Sequence, residues 1–324
     1  MATAGDDVDF KTETVKWSSP PLKLLTVLLL PGVFLAAALL AAVPHGGNGA
    51  RDGRTSDLVL DHAVEADEAF LPEWGVPVHR DEFDSGLEQW TVRDRSTHGS
   101  LSYDRALIGS SQVAVSNGVL TITGQRLAMP VPGNEDRPFV TGYVDSAGIF
   151  SQEFGRWEIR ARLPLPPGSS QGIWPAFWLR PDNSATEGEI DILEAYGTSA
   201  SAPYGFSTRS RTQASLHFDQ SGQNKTSGWT PAIAGLDTAF HVWAFEWTPT
   251  GMAWYIDGLL YKKVLRDDYP AYDAAFGTGA EFHMRLNLQY GSRYWGYPDP
   301  VNPSVTADQA PFDIDYVRVW ELPR

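Results

Sequence analysis

The pattern of apolar residues divides the chain into regions of different character. An uncharged run, LLTVLLLPGVFLAAALLAAV, occupies positions 24–43 and is about as long as a helix that crosses a bilayer. Positions 44–77 are rich in Gly, Asp, Glu and Ala and have little periodicity, which predicts a linker. We therefore predict a leader at 1–23, a membrane-directed segment at 24–43, a linker at 44–77 and a folded domain at 78–324.

The run at 24–43 has two main interpretations. Its length favours a transmembrane anchor, because the apolar region of a cleaved signal peptide usually has only about 7–15 residues. Its alanines are acceptable to signal peptidase, so a cleaved signal stays open. A buried core helix would normally show a polar face, which this run lacks. In either case we expect export, with the domain secreted or membrane-anchored outside the cytoplasm. A helix at 58–70 is the alternative to a plain linker.

Short alternating runs dominate the chain after Pro77. Period-two alternation, typical of half-buried strands, occurs at 118–124, 154–168, 241–264 and 312–322. Within the third of these runs, TPTGM and IDGLL carry the residues expected in hairpin turns. No stretch longer than ten residues combines helical spacing with caps. Strands without intervening helices predict an all-β protein, a sandwich of two antiparallel sheets.

Composition narrows the class of protein. Of 324 residues, 40 are acidic and 25 are Lys or Arg, so the net charge is −15 and a nucleic-acid partner is not expected. The 42% of hydrophobic residues is enough to form a substantial core. The absence of cysteine excludes disulfides, thiolate metal sites and thiol nucleophiles. Stability must therefore come from packing.

Three carboxylates interrupt an apolar, strand-like segment, GEIDILEAYG at 188–197. Acidic residues are depleted from strands and like charges on one face repel, so Glu189, Asp191 and Glu194 need an explanation. On a regular strand, Glu189 and Asp191 share a face and Glu194 points the other way. A single β-bulge at Ile192 or Leu193 would turn Glu194 back, and bulges are common beside active sites.

Such a grouping of carboxylates suits glycoside hydrolysis. Retaining glycosidases place two carboxyl groups about 5–5.5 Å apart, one as nucleophile and one as acid, whereas inverting enzymes leave about 6.5–9.5 Å for a water. Crowding separates the pKa values of the groups, and Asp191 between the two glutamates could hold or pass a proton. The alternatives are a solvated face of an edge strand and a calcium site.

Tryptophans flank the carboxylates. QGIWPAFWLRP contains Trp174 and Trp178, and HVWAFEW adds Trp243 and Trp247. Sugars have apolar C–H faces, so a sugar site needs aromatic platforms beside its carboxylates. Core packing is nevertheless the more frequent use of a Trp in a β-sandwich.

In this order, the segments resemble glycoside hydrolase family 16. The resemblance rests on FGRWEIRARLP, GIWPAFWL, GEIDILE, HVWAFEW with WYIDG, LNLQYGSRYWG and DIDYVRVWE, and it covers nearly the whole domain. The E-x-D-x-x-E core in its bulged form is similar to the laminarinase-like branch. The resemblance implies a concanavalin-like jelly-roll β-sandwich. It also implies endo-hydrolysis of a β-linked polysaccharide, chiefly a β-1,3- or mixed-linkage glucan, with retention.

The resemblance also implies roles for individual residues. Glu189 would be the nucleophile, Asp191 the assisting carboxylate and Glu194 the acid/base. Residues that would contact the sugar, with ordinary packing as the alternative, are Trp174, Trp178, His217, Asn287 and Trp295. No cofactor would be needed for catalysis. Glu82 and Asp315 are similar in place to the ligands of a structural calcium in some members, with plain surface carboxylates as the alternative.

The sugar and the linkage stay open at this point. Before the motif the chain reads NSATEG where many relatives have a Trp, and Gln-Tyr-Gly-Ser replaces the Ala-Val-Gly-Gly of many relatives. A transglycosylase acting on the same glycans and a non-catalytic carbohydrate-binding protein are the alternatives to a hydrolase. We expect a monomer whose partner is a polysaccharide, and the membrane as well if the segment at 24–43 is uncleaved.

Overall fold

The computed structural model describes residues 71, 73–95, 102–182, 186–198 and 208–324. These residues all lie in the second of the two units into which the chain divides, residues 62–324. The predicted leader, the segment at 24–43 and most of the predicted linker fall outside the described residues. Among the residues that are described, no helix has the length and apolar character needed to span a bilayer.

Strands account for most of the regular structure, as the alternation predicts. In chain order they are β1 (His79–Asp81), β2 (Thr91–Val92), β3 (Ser102–Tyr103), β4 (Ala106–Ile108), β5 (Val113–Ser116), β6 (Val119–Arg126), β7 (Phe139–Thr141), β8 (Tyr143–Asp145), β9 (Ser151–Gln152), β10 (Gly155–Arg162), β11 (Ile173–Pro181), β12 (Glu189–Ala195), β13 (Thr212–His217), β14 (Lys225–Trp229), β15 (His241–Thr248), β16 (Gly251–Ile256), β17 (Leu259–Leu265), β18 (Phe282–Tyr290) and β19 (Gln309–Trp320). Helical segments are short: the helix α1 (Tyr272–Phe276) and 3-10 turns at Ser110–Gln112, Thr208–Ser210 and Arg266–Asp268.

The strands form two sheets. The larger has the order β17-β16-β15-β10-β19-β6-β7-β4-β3, with β1 beside β19 and β5 beside β6. The smaller has the order β14-β13-β12-β11-β18-β8-β2, with β9 beside β18. The pairing of β4 with β7 is parallel. The prediction of two antiparallel sheets is confirmed apart from this one pair.

The two predicted hairpin turns are present. Strands β15 and β16 pair up to Thr248 opposite Gly251, at the TPTGM sequence. Strands β16 and β17 are joined by Asp257 and Gly258, whose φ angles are 47° and 78°. A two-residue loop with both φ angles positive matches the right-handed twist of the flanking strands, and Asp-Gly is a preferred sequence for it.

One buried cluster draws on both sheets. Trp243 and Trp247, together with Trp157 and Trp254, are fully buried in it, so core packing is the use of these tryptophans. Strand β11 shows the alternation that separates the core from the site: Ile173, Phe177 and Leu179 are buried in the cluster. The alternate residues Trp174, Ala176 and Trp178 line the opposite face. The outer face of the smaller sheet is therefore free to form a site.

The last residues of the predicted linker contact the domain. Trp320 donates its indole N–H to the carbonyl of Gly75 at 3.0 Å. The backbone N–H of Val78 bonds to Val319 at 2.8 Å, just before β1 pairs with β19. This contact joins the start of the described chain to its final strand.

Candidate active site

Strand β12 carries the predicted bulge. Its pairing with β11 places Phe177 opposite Leu193 and Trp178 opposite Asp191, so Ile192 is an extra residue without its own partner. The pairing of β12 with β13 shifts over the same interval, between Asp191 and Glu194. The prediction of a bulge at Ile192 or Leu193 is confirmed.

The bulge brings the three carboxylates to one cavity. Glu189, Asp191 and Glu194 line an open space of about 500 Å³. Asp191 is 3% exposed and Glu194 9% exposed, while Glu189 is half-buried. The remaining lining residues are Tyr103, Trp174, Ala176, Trp178, Asn287 and Gln289. The three acids share one side of the sheet but have unequal access to water.

Glu189 lies between two nitrogen-bearing side chains. Arg180 Nη1 is 3.1 Å from Glu189 Oε2, from the neighbouring strand β11. His217 lies directly opposite Glu189 on β13, and its Nε2 is 3.6 Å from Glu189 Oε1. A carboxylate beside a guanidinium is stabilised in its charged form, which is the form a nucleophile needs.

Burial raises the pKa values of the two other acids, Asp191 and Glu194. Desolvation, and then the negative charge of Glu189, raise the pKa of Asp191 well above its usual value. Desolvation, and then the charge of Asp191, raise the pKa of Glu194 well above its usual value. Trp174 holds the Glu194 carboxyl by donating its indole N–H to Oε1 at 3.0 Å. Glu194 is therefore suited to keep a proton at a pH where an ordinary carboxyl group has lost it.

His217 stands beside this pair as an uncharged ring. Its Nε2 is 3.2 Å from Asp191 Oδ2, and burial lowers the pKa of His217. A neutral imidazole can orient the carboxylates without neutralising them.

Three of the predicted sugar-contact residues line the carboxylate cavity, namely Trp174, Trp178 and Asn287. Trp178 donates its indole N–H to Asn287 Oδ1 at 2.7 Å, which ties β11 to the adjacent strand β18. Both tryptophans expose part of their rings, in contrast to the core tryptophans.

The two other predicted contact residues lie elsewhere. His217 lines a second, adjoining cavity of about 720 Å³. Trp295 stacks on Tyr196 with ring centroids 3.8 Å apart and planes 13° apart, and it does not line either cavity. Tyr196 in turn contacts Trp174 edge to face, with ring centroids 5.0 Å apart, so the predicted sugar contact of Trp295 stays a prediction.

The two cavities meet at shared residues. Trp178 and Glu189 line both of them, and the second cavity also contains Arg180 and Arg285. Together they form a groove that extends past Glu189 on the side away from Glu194.

Sequence reasoning missed several residues of the groove, among them Arg180, Arg285, Gln289 and Tyr103. Arg180 follows Trp178 by two positions and Arg285 precedes Asn287 by two, so period-two alternation could have placed both on the site face. Gln289 could have been found in the same way. Tyr103 comes from β3, which is distant in sequence, and no local signal marks it.

The proposed calcium ligands are each bound to arginine. Glu82 accepts hydrogen bonds from Arg80 Nε at 2.7 Å and Arg318 Nε at 2.8 Å. Asp315 is paired with Arg160. Guanidinium groups on both carboxylates do not fit a shared calcium ion, which needs oxygen ligands free of competing cations. The calcium ion stays a prediction.

The carboxylate cluster itself has the composition of a metal site. Oxygen or nitrogen atoms of Glu189, Asp191 and His217 lie within 4.8 Å of one another. Arg180 already neutralises Glu189, however, and burial favours the protonated form of Asp191. These features suit proton transfer better than a divalent cation, which prefers ionised carboxylates.

A groove that holds grouped carboxylates beside partly exposed tryptophans is typical of glycoside hydrolases. The chain belongs to the family described as Glycosyl hydrolases family 16, which matches residues 103–296. It is 33% identical over 268 residues to a β-glucanase of Rhodothermus marinus, with 77% of this chain and 86% of the relative aligned.

Solved structures show the same fold. The laminarinase catalytic domain of Thermotoga maritima superposes with a TM-score of 0.62 at 25% identity, over 76% of this chain and 98% of that one. The laminarinase of Rhodothermus marinus superposes with a TM-score of 0.60 at 27% identity, again over 76% and 98%. The family and jelly-roll predictions are confirmed, and the predicted N-terminal helix lies outside the described residues.

Proposed function

We propose that this glycoside hydrolase is an endo-acting, retaining enzyme for β-1,3- or mixed-linkage glucan. The observation that carries the proposal is the contrast between Glu189, beside Arg180, and Glu194, buried with a raised pKa on the same face. The similarity to a β-glucanase and to laminarinases supports a glucan as the substrate.

The first step forms a glycosyl-enzyme. A Glu189 oxygen attacks the anomeric carbon while Glu194 donates its proton to the glycosidic oxygen, and the C–O bond to the leaving chain breaks. In the second step Glu194 accepts a proton from water, the water oxygen attacks the same carbon, and the bond to Glu189 breaks. Two inversions retain the configuration, and Glu194 ends protonated as it began.

Asp191 assists both glutamates. A hydrogen bond with Glu194 lowers the pKa of Asp191, against the larger raising effect of burial. The carboxyl between the two glutamates can therefore share the Glu194 proton and limit the repulsion that Glu189 would otherwise meet. Trp174 fixes the direction in which Glu194 presents its proton.

We propose further that the enzyme is exported and works as a monomer. Support for export is the uncharged run at 24–43. Cell fractionation followed by sequencing of the mature N-terminus separates an anchor from a cleaved signal, and light scattering gives the subunit number.

The proposal is tested with substrates and paired variants. A panel of β-1,3-glucan, mixed-linkage glucan and galactan is scored for reducing ends and for product length. We expect Glu189→Gln to abolish turnover while glycan binding stays measurable, and NMR of the first product to show the β-anomer. Hydrolysis by Glu189→Gln at the wild-type rate would overturn the mechanism.

The roles of the two glutamates can be separated by the leaving group. A dinitrophenyl leaving group needs no proton, so we expect Glu194→Gln to form the glycosyl-enzyme from an activated aryl glycoside and Glu189→Gln not to form it. Products longer than the substrate would indicate a transglycosylase, in which a sugar replaces water in the second step.

A further inference from the structure

Arg285 occupies the half of the groove that the catalytic steps do not use. It lies on β18 directly opposite Trp178 of β11, two positions from Asn287, and it lines the second cavity together with Glu189. Arg180 is opposite His283 in the same pair of strands, so the two arginines are diagonal neighbours on one face.

Two contacts hold the Arg285 guanidinium. Its Nε donates to His283 Nε2 at 2.9 Å, and its central carbon lies 4.7 Å from the centroid of the Trp178 ring. Burial lowers the pKa of His283 to about 4, so at neutral pH this ring is an uncharged acceptor. The guanidinium is thereby oriented by its Nε edge and by one face, and its two terminal nitrogens make no hydrogen bond to the residues that the structure describes.

Arg285 has no acidic partner of its own. Across the described residues, no carboxylate oxygen lies within 4.0 Å of it. Asp145, its neighbour across β8, is paired with Arg93, and Glu189 is paired with Arg180. A half-buried cation without a counter-charge is costly, and an anion from outside would relieve that cost.

The two acidic side chains of the second cavity, Glu189 and Asp219, are engaged with other groups. Asp219 accepts hydrogen bonds from the backbone N–H of Ser221 at 2.8 Å and from Asn224 Nδ2 at 3.2 Å. These contacts tie Asp219 to its own exposed loop. Because Glu189 is paired with Arg180 and Asp219 is held by its own loop, Arg285 is the charged side chain of this cavity that lacks an oppositely charged partner among the described residues.

We propose that Arg285, with Arg180 beside it, binds an acidic substituent of the glycan, a carboxylate or a sulfate ester. This inference rests on the proposed function, because it places the substituted sugar next to Glu189 on the side away from Glu194. A guanidinium offers two parallel N–H donors, which match the paired oxygens of both groups. The enzyme prefers an acidic β-glucan to its uncharged equivalent.

The net charge of −15 does not oppose this preference at contact distance. Exposed charges are largely screened beyond about 10 Å at 0.1 M ionic strength. The overall field slows the approach of an anionic polymer, whereas the contact with Arg285 acts inside the groove where solvent is partly excluded.

The test uses the full chain and four matched polymers. These are a β-1,3-glucan and its carboxymethylated, sulfated and hydroxyethylated derivatives, the last being an uncharged control for size. We expect Arg285→Gln to lower the ratio of acidic to hydroxyethylated kcat/KM by about tenfold, since a charge-assisted contact is lost. Arg285→Lys should restore part of the ratio, because lysine keeps the positive charge but lacks the two parallel N–H donors of a guanidinium.

Arg80→Gln is the matched control. It removes the same charge from β1 of the larger sheet, where Arg80 pairs with Glu82, and it should leave the ratio unchanged. A response confined to the carboxymethylated or to the sulfated polymer supports the proposal and identifies the substituent. A ratio that is unchanged in both Arg285 variants overturns it, with thermal unfolding showing that they are folded.

Failure of the proposed function gives a different result. If the wild-type protein cleaves none of the four polymers, the assignment of β-1,3-glucan as the substrate is wrong. The proposal that Arg285 binds an acidic substituent is then decided by calorimetry, which measures binding of the same polymers to the wild type and to Arg285→Gln. Equal affinities of the two proteins for the acidic polymers would overturn it.

Discussion

Trp254 of the larger sheet donates its indole N–H to the backbone carbonyl of Asp191, 3.1 Å away in the smaller sheet. The bulge interrupts the ladder between Asp191 and Glu194, and a buried carbonyl in an interrupted ladder needs another donor. A fully buried core tryptophan therefore stabilises the irregularity that turns Glu194 to the groove.

Replacing Trp254 with phenylalanine should affect both stability and catalysis. We expect Trp254→Phe to lower the free energy of unfolding by about 2–3 kcal/mol, from the lost volume and the unpaired carbonyl. We also expect kcat to fall, because the bulge can relax toward a regular strand. Denaturant unfolding and steady-state kinetics measure the two effects.

Trp157→Phe controls for the loss of volume. Trp157 is equally buried, and among the described residues its indole nitrogen has no hydrogen-bond partner. We expect Trp157→Phe to lower the free energy of unfolding without a matching loss of kcat. If both variants lowered kcat alike, the effect would belong to the core in general and not to the bond with Asp191.

Glu194 should destabilise the fold at high pH. Its raised pKa means that folding favours the protonated form, so this stability is present at low pH and is lost as pH rises through the folded-state pKa. We expect Glu194→Gln to raise the melting temperature relative to wild type above that pKa and to lose the advantage in acid. Glu187 is exposed, so Glu187→Gln controls for the removal of one negative charge. If Glu194→Gln raised the melting temperature equally at all pH values, the raised pKa of Glu194 would be contradicted.

Replacing Trp174 should shift the pH at which kcat/KM falls on the alkaline side of its pH profile. Its indole N–H donates to Glu194 Oε1, which stabilises the charged carboxylate, so Trp174→Phe should raise the pKa of Glu194 further. Because Glu194 must be protonated in the first step, the alkaline limb of kcat/KM moves to higher pH. Trp178→Phe loses a bond to Asn287 in the same cavity and should lower activity without moving that limb. Equal shifts would argue against Glu194 as the acid.

Gly197, which ends the carboxylate segment, has a steric reason to be glycine. A Cβ there would overlap the carbonyl oxygen of Ser170, while Gly197 N–H bonds to Ile173 at 2.9 Å. We expect Gly197→Ala to cost about 2–3 kcal/mol of unfolding free energy. Gly168→Ala, where the φ of +88° is the only obstacle, should cost about 1 kcal/mol. Equal losses would show that the contact with Ser170 can give way.

Chelation should not change thermal stability. Glu82 accepts hydrogen bonds from Arg80 and Arg318, so we expect the melting temperature to be the same with EDTA and with calcium. Glu82→Gln should instead lower the free energy of unfolding by about 1–2 kcal/mol, through the lost pair with Arg318. A melting temperature that falls with EDTA and recovers with calcium would establish a metal site.

Much of the fold and part of the site could be predicted from local patterns. Alternation predicted the strands, Asp257-Gly258 predicted a hairpin, and the spacing of Glu189, Asp191 and Glu194 predicted a bulge. These features are local, because side-chain direction along a strand follows from position alone. Tyr103 shows the limit of such reasoning, since it lines the carboxylate cavity from β3, which is distant in sequence from β12.

The sequence by itself determined that Glu189, Asp191 and Glu194 share one face of a strand, because the period of a strand and one added residue decide it. Only the tertiary structure decided their chemical states. Arg180 beside Glu189, the burial of Glu194 and the unpaired charge of Arg285 all come from which strands become neighbours. The free energy of a charge depends on its surroundings, and those surroundings are assembled from segments far apart in the chain.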